Sequence, residues 1–258
     1  MTTDEPHTPR RGVYLLPNLF TTATLFGGFY AIIAAIQGDF TAAAIAIIAA
    51  GFADSMDGRI ARLTNTQSDF GKEYDSLCDM IAFGLATAVV VYIWSLSYWA
   101  EYKWLGGKLG WVAAFTYTAC AALRLARFNV SAALSGGKGD FHGLPSPAAA
   151  GVVICYVWAS HDLGLAGDVM VLPSLIITLG AGVLMVSNIR YNSFKQVKIS
   201  ERAPFWYMLA LIGGLALVSL DPPRILFLIA LAYALSGPIM ALRRKGSNSE
   251  PTDDESNA

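Results

Sequence analysis

Runs of apolar residues, most of them near twenty positions long, alternate with short polar or charged breaks along almost the whole of this chain. A helix that crosses lipid hydrocarbon needs about 20 predominantly apolar residues in succession. Eight segments are candidates: Pro17–Gln37, Phe40–Ala61, Phe70–Trp94, Leu109–Phe128, Pro145–Ser160, Val169–Ile189, Phe205–Leu220 and Ile225–Leu242. The fifth and seventh are the short ones. The ends of the chain, Met1–Pro9 and Gly246–Ala258, are polar and read as disordered tails. A cleaved secretion signal is not expected, because the first apolar run is too long and lacks a small-x-small cleavage site. The expected fold class is an all-α polytopic membrane bundle of about eight transmembrane helices, with a polar cavity open to the cytoplasm.

Composition strengthens that picture. Of 258 residues, 55% are hydrophobic and 14% charged, with mean hydropathy +0.48. A soluble domain usually carries about 25% charged residues, so much of this surface is built to avoid water. The formal net charge of −1 gives no reason to expect a nucleic-acid partner. Cys78, Cys120 and Cys155 all sit in apolar stretches without a C-x-x-C pair. They read as buried thiols, since free cysteine packs like a small hydrophobe.

Basic residues then orient the spans. With the N-terminus in the cytoplasm, 15 of the 18 lysines and arginines fall on the inner side, and only Lys103, Lys108 and Arg224 outside. Such a bias obeys the positive-inside rule. Both termini are then expected in the cytoplasm, and the expected location is the cell (inner) membrane as a multi-pass chain. Tyr92, Trp94, Tyr98, Trp99, Tyr102, Trp104 and Trp111 cluster around the second outer loop and read as an interfacial belt.

Four carboxylates break the apolar pattern. Asp54 and Asp57 lie near the inner end of the second span, Asp75 and Asp79 near the inner start of the third. Ionisable groups near a span's centre cost about 2.5–3.5 kcal/mol each on insertion scales, so their presence needs a reason. The i, i+3 and i, i+4 spacings put each pair on one helix face. Consecutive antiparallel helices would bring all four into one small volume, where they repel unless neutralised. Hard divalent cations such as Mg²⁺ or Mn²⁺ suit carboxylate oxygens. Two such ions recur as clamps for phosphate displacement. Gly58 and Ala61 beside the acidic face leave room for a flat group, and a helix-interior glycine otherwise costs about 1 kcal/mol. Spacing alone also admits a cation or proton pathway, or structural pairing with Arg59, Arg62 and Lys72.

The stretch as a whole reads D-x-x-D-G-x-x-A-R-x8-G-x-x-x-D-x-x-x-D, carried by Asp54, Asp57, Gly58, Ala61, Arg62, Gly71, Asp75 and Asp79. In this it resembles the CDP-alcohol phosphatidyltransferases, with no departure from their signature. Shorter stretches resemble the membrane-embedded phosphatidylserine synthases: Pro17-Asn18-Leu-Phe-Thr21, Arg124-Leu-Ala-Arg127-Phe128-Asn129, Phe141 to Pro147, and Tyr191 to Lys195. The likeness spans about Leu16 to Pro204. It implies transfer of a phosphatidyl group from CDP-diacylglycerol to L-serine, and two divalent metal ions held by Asp54, Asp57 and Asp75. Asp79 would be a weaker ligand or the general base. Asn18, Thr21, Gly58, Ala61, Arg62 and Gly71 would bind the CDP-lipid. The implied layout is a tail over 1–12, a six-helix core over 13–204, two added helices over 205–245, and a tail over 246–258. A homodimer is implied too, and small residues at Ala42–Ala44 and Ala148–Gly151 would permit close packing.

A zwitterionic acceptor needs a cation for its carboxylate. Arg124 and Arg127, at i, i+3 on the acids' side of the membrane, offer the guanidinium fork that suits this. Arg127 is the favoured anchor, with Asn129, Pro145 and Ser146 shaping the pocket; the alternative is that both arginines snorkel to the interface. His142 has an ordinary pKa near 6.5, but no acid partner adjoins it in sequence. Rival readings are the same chemistry on glycerol 3-phosphate, an inositol phosphate or choline, and a cation transporter. The absence of further acids through the middle of these spans disfavours transport.

Overall fold

The structure is a computed structural model and describes residues 15–63, 68–101, 108–135, 143–189, 191 and 205–247. His142, Arg190, Lys195 and Arg202 lie outside the described residues, as do the side chains of Ala61 and Arg62. Every one of the eight apolar segments is helical. In chain order these are α1 (Leu15–Ile36), α2 (Phe40–Leu63), a composite third rod, α5 (Leu109–Ser135), α6 (Ser146–Asp162), α7 (Val171–Val186), α8 (Phe205–Leu220) and α9 (Pro222–Ser247). The third rod runs as α3 (Asp69–Asp79), a π-helical segment (Met80–Ala86) and α4 (Thr87–Trp94), and a short 3₁₀ turn (Leu96–Glu101) follows it. No strand occurs among the described residues.

Five helical stretches are long and apolar enough to cross a membrane: Asn18–Ile36, Phe40–Ile60, Asp69–Trp94, Leu109–Ser131 and Pro222–Ala241. Val171–Val186 is apolar but shorter. The outward surface agrees with lipid as the surrounding solvent. Phe26 is 67% exposed and Trp206 74%, and they belong to an apolar exterior far beyond what a soluble monomer shows to water. The chain is a membrane protein.

Local sequence sets the helix ends. Gly38, at φ +81°, turns the chain between α1 and α2, and the Asp39 carboxylate accepts the Ala42 N–H at 2.8 Å as a cap for α2. At α3 the Ser68 hydroxyl accepts the Gly71 N–H at 3.0 Å. The Ser68 cap fixes where the acid-bearing end of α3 begins, whereas the Asp39 cap lies at the opposite end of α2 from Asp54 and Asp57.

Small side chains let the rods come close. α1 packs on α2 through Ala31, Ala34, Ala35, Ala43, Ala44 and Ala50, all buried. Without lipid-driven hydrophobic gain between helices, close van der Waals contact is what holds such pairs. A Cβ added at Gly28 would stand 2.6 Å from Ala82 Cα, so only glycine lets α1 touch the π segment. The small stripes at Ala42–Ala44 and Ala148–Gly151 are spent in this internal packing, with Ala43, Ala44, Ala149 and Ala150 buried and Gly151 facing Ala230. A second copy of the chain would have to use other faces.

The π segment follows Asp79 directly. Wider i→i+5 bonding leaves carbonyls displaced from ordinary helical partners. Two hydroxyls meet them: Thr87 donates to the Ala82 carbonyl at 3.3 Å, and the buried Tyr117 of α5 to the Phe83 carbonyl at 3.1 Å. Trp94, expected at the membrane interface, is instead buried, with its ring edge-on to Tyr156 at 5.7 Å. Its indole fills the seam between α4 and α6, where burial outweighs the interfacial preference.

Candidate functional site

The ends of α1, α2 and α3 converge on one acidic volume. Asp54 and Asp57 come from α2, and Asp75 and Asp79 from α3, as the i, i+3 and i, i+4 spacings require. One carboxylate oxygen from each of Asp54, Asp57 and Asp75 lies within 4.8 Å of the other two. Asp57 is buried at 5% exposure, and the other three acids are half-buried. Asp54 faces Asp79 and Asp57 faces Asp75 across the helix pair, each at hydrogen-bonding range. Two carboxylates so close repel unless a proton or a cation lies between them.

The donor set fits a hard divalent ion. The Asp54, Asp57 and Asp75 oxygens are all carboxylate and are clustered, and a buried Asp79 Oδ1 without a hydrogen-bond partner stands on the same helix pair. Lys72, one candidate counter-ion from the sequence, bonds Asp69 at 3.1 Å on the exposed side of α3 and so does not neutralise the cluster.

α1 supplies the next layer. The Thr21 hydroxyl, itself buried, donates to Asp57 Oδ2 at 2.9 Å and so fixes that carboxylate's orientation. One residue on, the Thr22 hydroxyl contacts the Tyr74 hydroxyl at 3.1 Å and donates to the Asn18 carbonyl at 2.7 Å. Gly71 lies across from Asn18, whose Oδ1 would be 3.8 Å from a Cβ built on the glycine. A Cβ built on Gly58 would meet nothing within 4 Å. The glycine therefore does not answer a packing need, and it leaves open space beside Asp57 that a flat ligand can enter. Thr21 thus bonds the acids directly, Gly58 follows Asp57 on α2, and Asn18 faces Gly71.

On the other side stand α5 and the start of α6. The Arg124 guanidinium donates from Nη1 to the Ser146 hydroxyl at 2.8 Å and lies within electrostatic reach of Asp79. Its Nε is buried without a partner. Ser146 is fully buried at the first turn of α6, just after Pro145. Arg127 is engaged elsewhere: it is exposed, donating to Asn188 Oδ1 at 2.7 Å and to the Val186 carbonyl at 3.5 Å at the end of α7. Asn129 reaches α3, where its amide donates to the Ser76 hydroxyl at 2.9 Å, next to Asp75.

The loop into α6 is held rigidly. Gly143 sits at φ +80°, and a Cβ there would meet the Met185 carbonyl oxygen at 2.2 Å. Its N–H bonds the Ile189 carbonyl at 2.9 Å, and that of Leu144 the Leu184 carbonyl at 2.9 Å. Those two bonds strap the start of α6, and with it Ser146, to the end of α7.

Tyr74, Ser76 and Asn188 were not singled out from the sequence. Tyr74 and Ser76 lie inside the aspartate motif at positions the pattern leaves free, and nothing in spacing marks Asn188 as the partner of Arg127.

Comparison with known proteins adds three findings. Residues 14–186 match the family model described as CDP-alcohol phosphatidyltransferase. The chain is 39% identical over 232 residues to the CDP-diacylglycerol–serine O-phosphatidyltransferase of Helicobacter pylori (strain ATCC 700392 / 26695), covering 90% of this chain and 92% of that one. It is 32% identical over 234 residues to the protein of the same name in Mycobacterium tuberculosis (strain CDC 1551 / Oshkosh), covering 87% and 78%. Similarity extends to the archaetidylserine synthase of Methanothermobacter thermautotrophicus (strain ATCC 29096 / DSM 1053 / JCM 10044 / NBRC 100330 / Delta H), 34% over 178 residues, or 68% of this chain and 69% of that one.

Proposed function

This chain belongs to the CDP-alcohol phosphatidyltransferase family, and we infer that it transfers the phosphatidyl group of CDP-diacylglycerol to the hydroxyl of L-serine. The products are phosphatidylserine and CMP. The observation that carries the reading is the four-carboxylate cluster of α2 and α3, with Asp54, Asp57 and Asp75 close enough to share one cation.

Asp54, Asp57 and Asp75 would hold the divalent metal, Mg²⁺ or Mn²⁺, with two ions expected and Asp79 at their edge. When bound, such ions neutralise the charge that develops on phosphate oxygens during displacement. The chain's own residues do the rest. Asn18, Thr21, Gly58 and Gly71 line the side where the CDP moiety would lie, with Ala61 and Arg62 the adjoining positions of the signature. The unpartnered Asp79 Oδ1 is the atom to accept the proton from the serine hydroxyl. The serine oxygen then bonds to the phosphorus that carries diacylglycerol, and the bond from that phosphorus to CMP breaks.

Arg124 is the better placed of the two arginines to take the serine carboxylate. It is half-buried, within electrostatic reach of Asp79 and bonded to Ser146, whereas Arg127 is bound at the end of α7. Asn129, Pro145 and Ser146 would complete that side. All eight helices would then cross the bilayer, with a core over 13–204 and two added helices over 205–245. Acids and basic loops on one side support a cavity opening to the cytoplasm. The inner membrane is the expected location. A homodimer would use helix faces other than the buried alanine stripes.

The test is CMP release by detergent-purified protein given CDP-diacylglycerol, Mn²⁺ or Mg²⁺, and serine, glycerol 3-phosphate, an inositol phosphate or choline in turn. Release that requires serine, and that chelator and Asp79→Asn both abolish, is the expected result. Release only with another alcohol removes serine as acceptor, and no release from folded protein that binds CDP-lipid removes the transferase reading.

A further inference from the structure

α9 carries a glycine and a proline in succession, Gly237 and Pro238, inside its apolar stretch Pro222–Ala241. Proline has no N–H, so it cannot bond the carbonyl four residues earlier, which here is that of Ala234. Lipid offers no water to satisfy such a group, and a membrane helix tolerates the break by taking a donor from elsewhere. Tyr191 is that donor: its hydroxyl meets the Ala234 carbonyl at 2.9 Å. Gly237 opens the space, since a Cβ there would stand 2.4 Å from the Tyr191 ring. Tyr191 is buried, with its ring 5.7 Å from that of Tyr233. Glycine, proline and tyrosine thus form a notch and its occupant, and each accounts for the other two.

The occupant belongs to the chain leaving α7, beyond the residues that match the family model. Two positions before it, the Ile189 carbonyl accepts the Gly143 N–H, and further back the Leu184 carbonyl accepts that of Leu144. Those bonds hold the start of α6, where the Ser146 hydroxyl takes the Arg124 guanidinium at 2.8 Å. Asn188, in the same segment, takes Arg127 at 2.7 Å. Both arginines of α5 therefore rest on a segment whose far side is seated in α9.

We propose that Tyr191 is a positioning residue for the acceptor side of the site. Seated in the Gly237–Pro238 notch, it fixes the exit of α7, and through it Ser146 with Arg124 and Asn188 with Arg127. The proposal rests on the functional reading above. It gives α9 a part in acceptor binding beyond anchoring the chain in the bilayer.

Tyr191→Phe keeps the ring and removes the donor. Pro238→Ala gives the Ala234 carbonyl a backbone N–H, taking the tyrosine's acceptor away while favouring the helix itself. In full-length detergent-purified protein, assayed below the melting temperature of every variant, each should raise the serine KM about tenfold. The KM for CDP-diacylglycerol should stay within about twofold of the wild type, and the double variant should be no worse than either single one. Hydrogen exchange reads the dock without turnover: a peptide carrying Gly143 and Leu144 should take up deuterium about tenfold faster in either variant, and peptides of α2 at the wild-type rate. Equal effects on both substrates, as a general loosening of the fold would give, overturn the proposal. So do an unchanged serine KM in either variant, effects that multiply in the double variant, or unchanged exchange at Gly143 and Leu144. A wild type inert toward serine sinks the functional reading, and the acceptor role of Tyr191 with it. An active wild type with silent variants sinks this proposal alone.

Discussion

Thr21→Val tests whether α1 serves the acidic cluster by orienting a metal ligand. The substitution keeps nearly the same shape and replaces one hydroxyl with a methyl group. That hydroxyl donates to Asp57 Oδ2 at 2.9 Å, where Thr21 is 4% and Asp57 5% exposed. A hydrogen bond to a charged acceptor contributes about 1.5–3 kcal/mol. At 1.4 kcal/mol per factor of ten, that corresponds to a factor of roughly 10–100 in binding. Residues that orient metal ligands typically show a loss of similar size, about 10–100-fold. The half-saturating concentration of Mn²⁺ for CMP release, at saturating serine and CDP-diacylglycerol, should rise by that factor. Activity should return at high metal, because the ligand itself is still present. Half-saturation within about twofold of the wild type, with activity either retained or lost beyond rescue by metal, would refute the reasoning. In the second case Thr21 would be acting on the substrate directly.

Two further substitutions separate open space from close contact. Gly58→Ala places a methyl group where nothing stands within 4 Å. It should stabilise α2 by up to about 1 kcal/mol while raising the KM for CDP-diacylglycerol severalfold and leaving that for serine alone; an unchanged lipid KM would mean the space is not a substrate cradle. Gly28→Ala is the converse case, driving a Cβ to 2.6 Å from Ala82 Cα. Overpacking of this kind costs about 1–3 kcal/mol, so the melting temperature in detergent should fall, and an unshifted melting curve would show that α1 can move off the π segment freely.

Hydrophobic runs made the helices readable, and five of them reach the apolar length that lipid demands of any sequence. The acid cluster was readable for a related reason: Asp54, Asp57, Asp75 and Asp79 are conspicuous where charge is expensive, and helical spacing fixes their common face. Less could be read where two residues of one type compete. Arg124 and Arg127 stand three positions apart, and spacing cannot say which of them turns toward the bundle. That is decided by Ser146 and Asn188, which arrive from elsewhere in the chain. The interior position of Trp94 was likewise hidden, since an aromatic near a loop fits a membrane interface and a helix seam equally well. Gly237, in the apolar run of α9, is intelligible only once Tyr191 is seen lying against it.

The π-helical segment between Asp79 and Thr87 makes the third rod a shaft with a coupling in it. In an unbroken α-helix each residue advances the side chains by about 100°, so the direction of Asp79 would dictate that of Trp94. Wider winding over Met80–Ala86 releases that constraint. The acid-bearing end can be indexed to its carboxylate neighbours while the far end is indexed to the seam with Tyr156. Thr87 and Tyr117 then serve as the keys that stop the coupling from slipping. A single helix thereby satisfies two angular demands that one regular winding would set against each other.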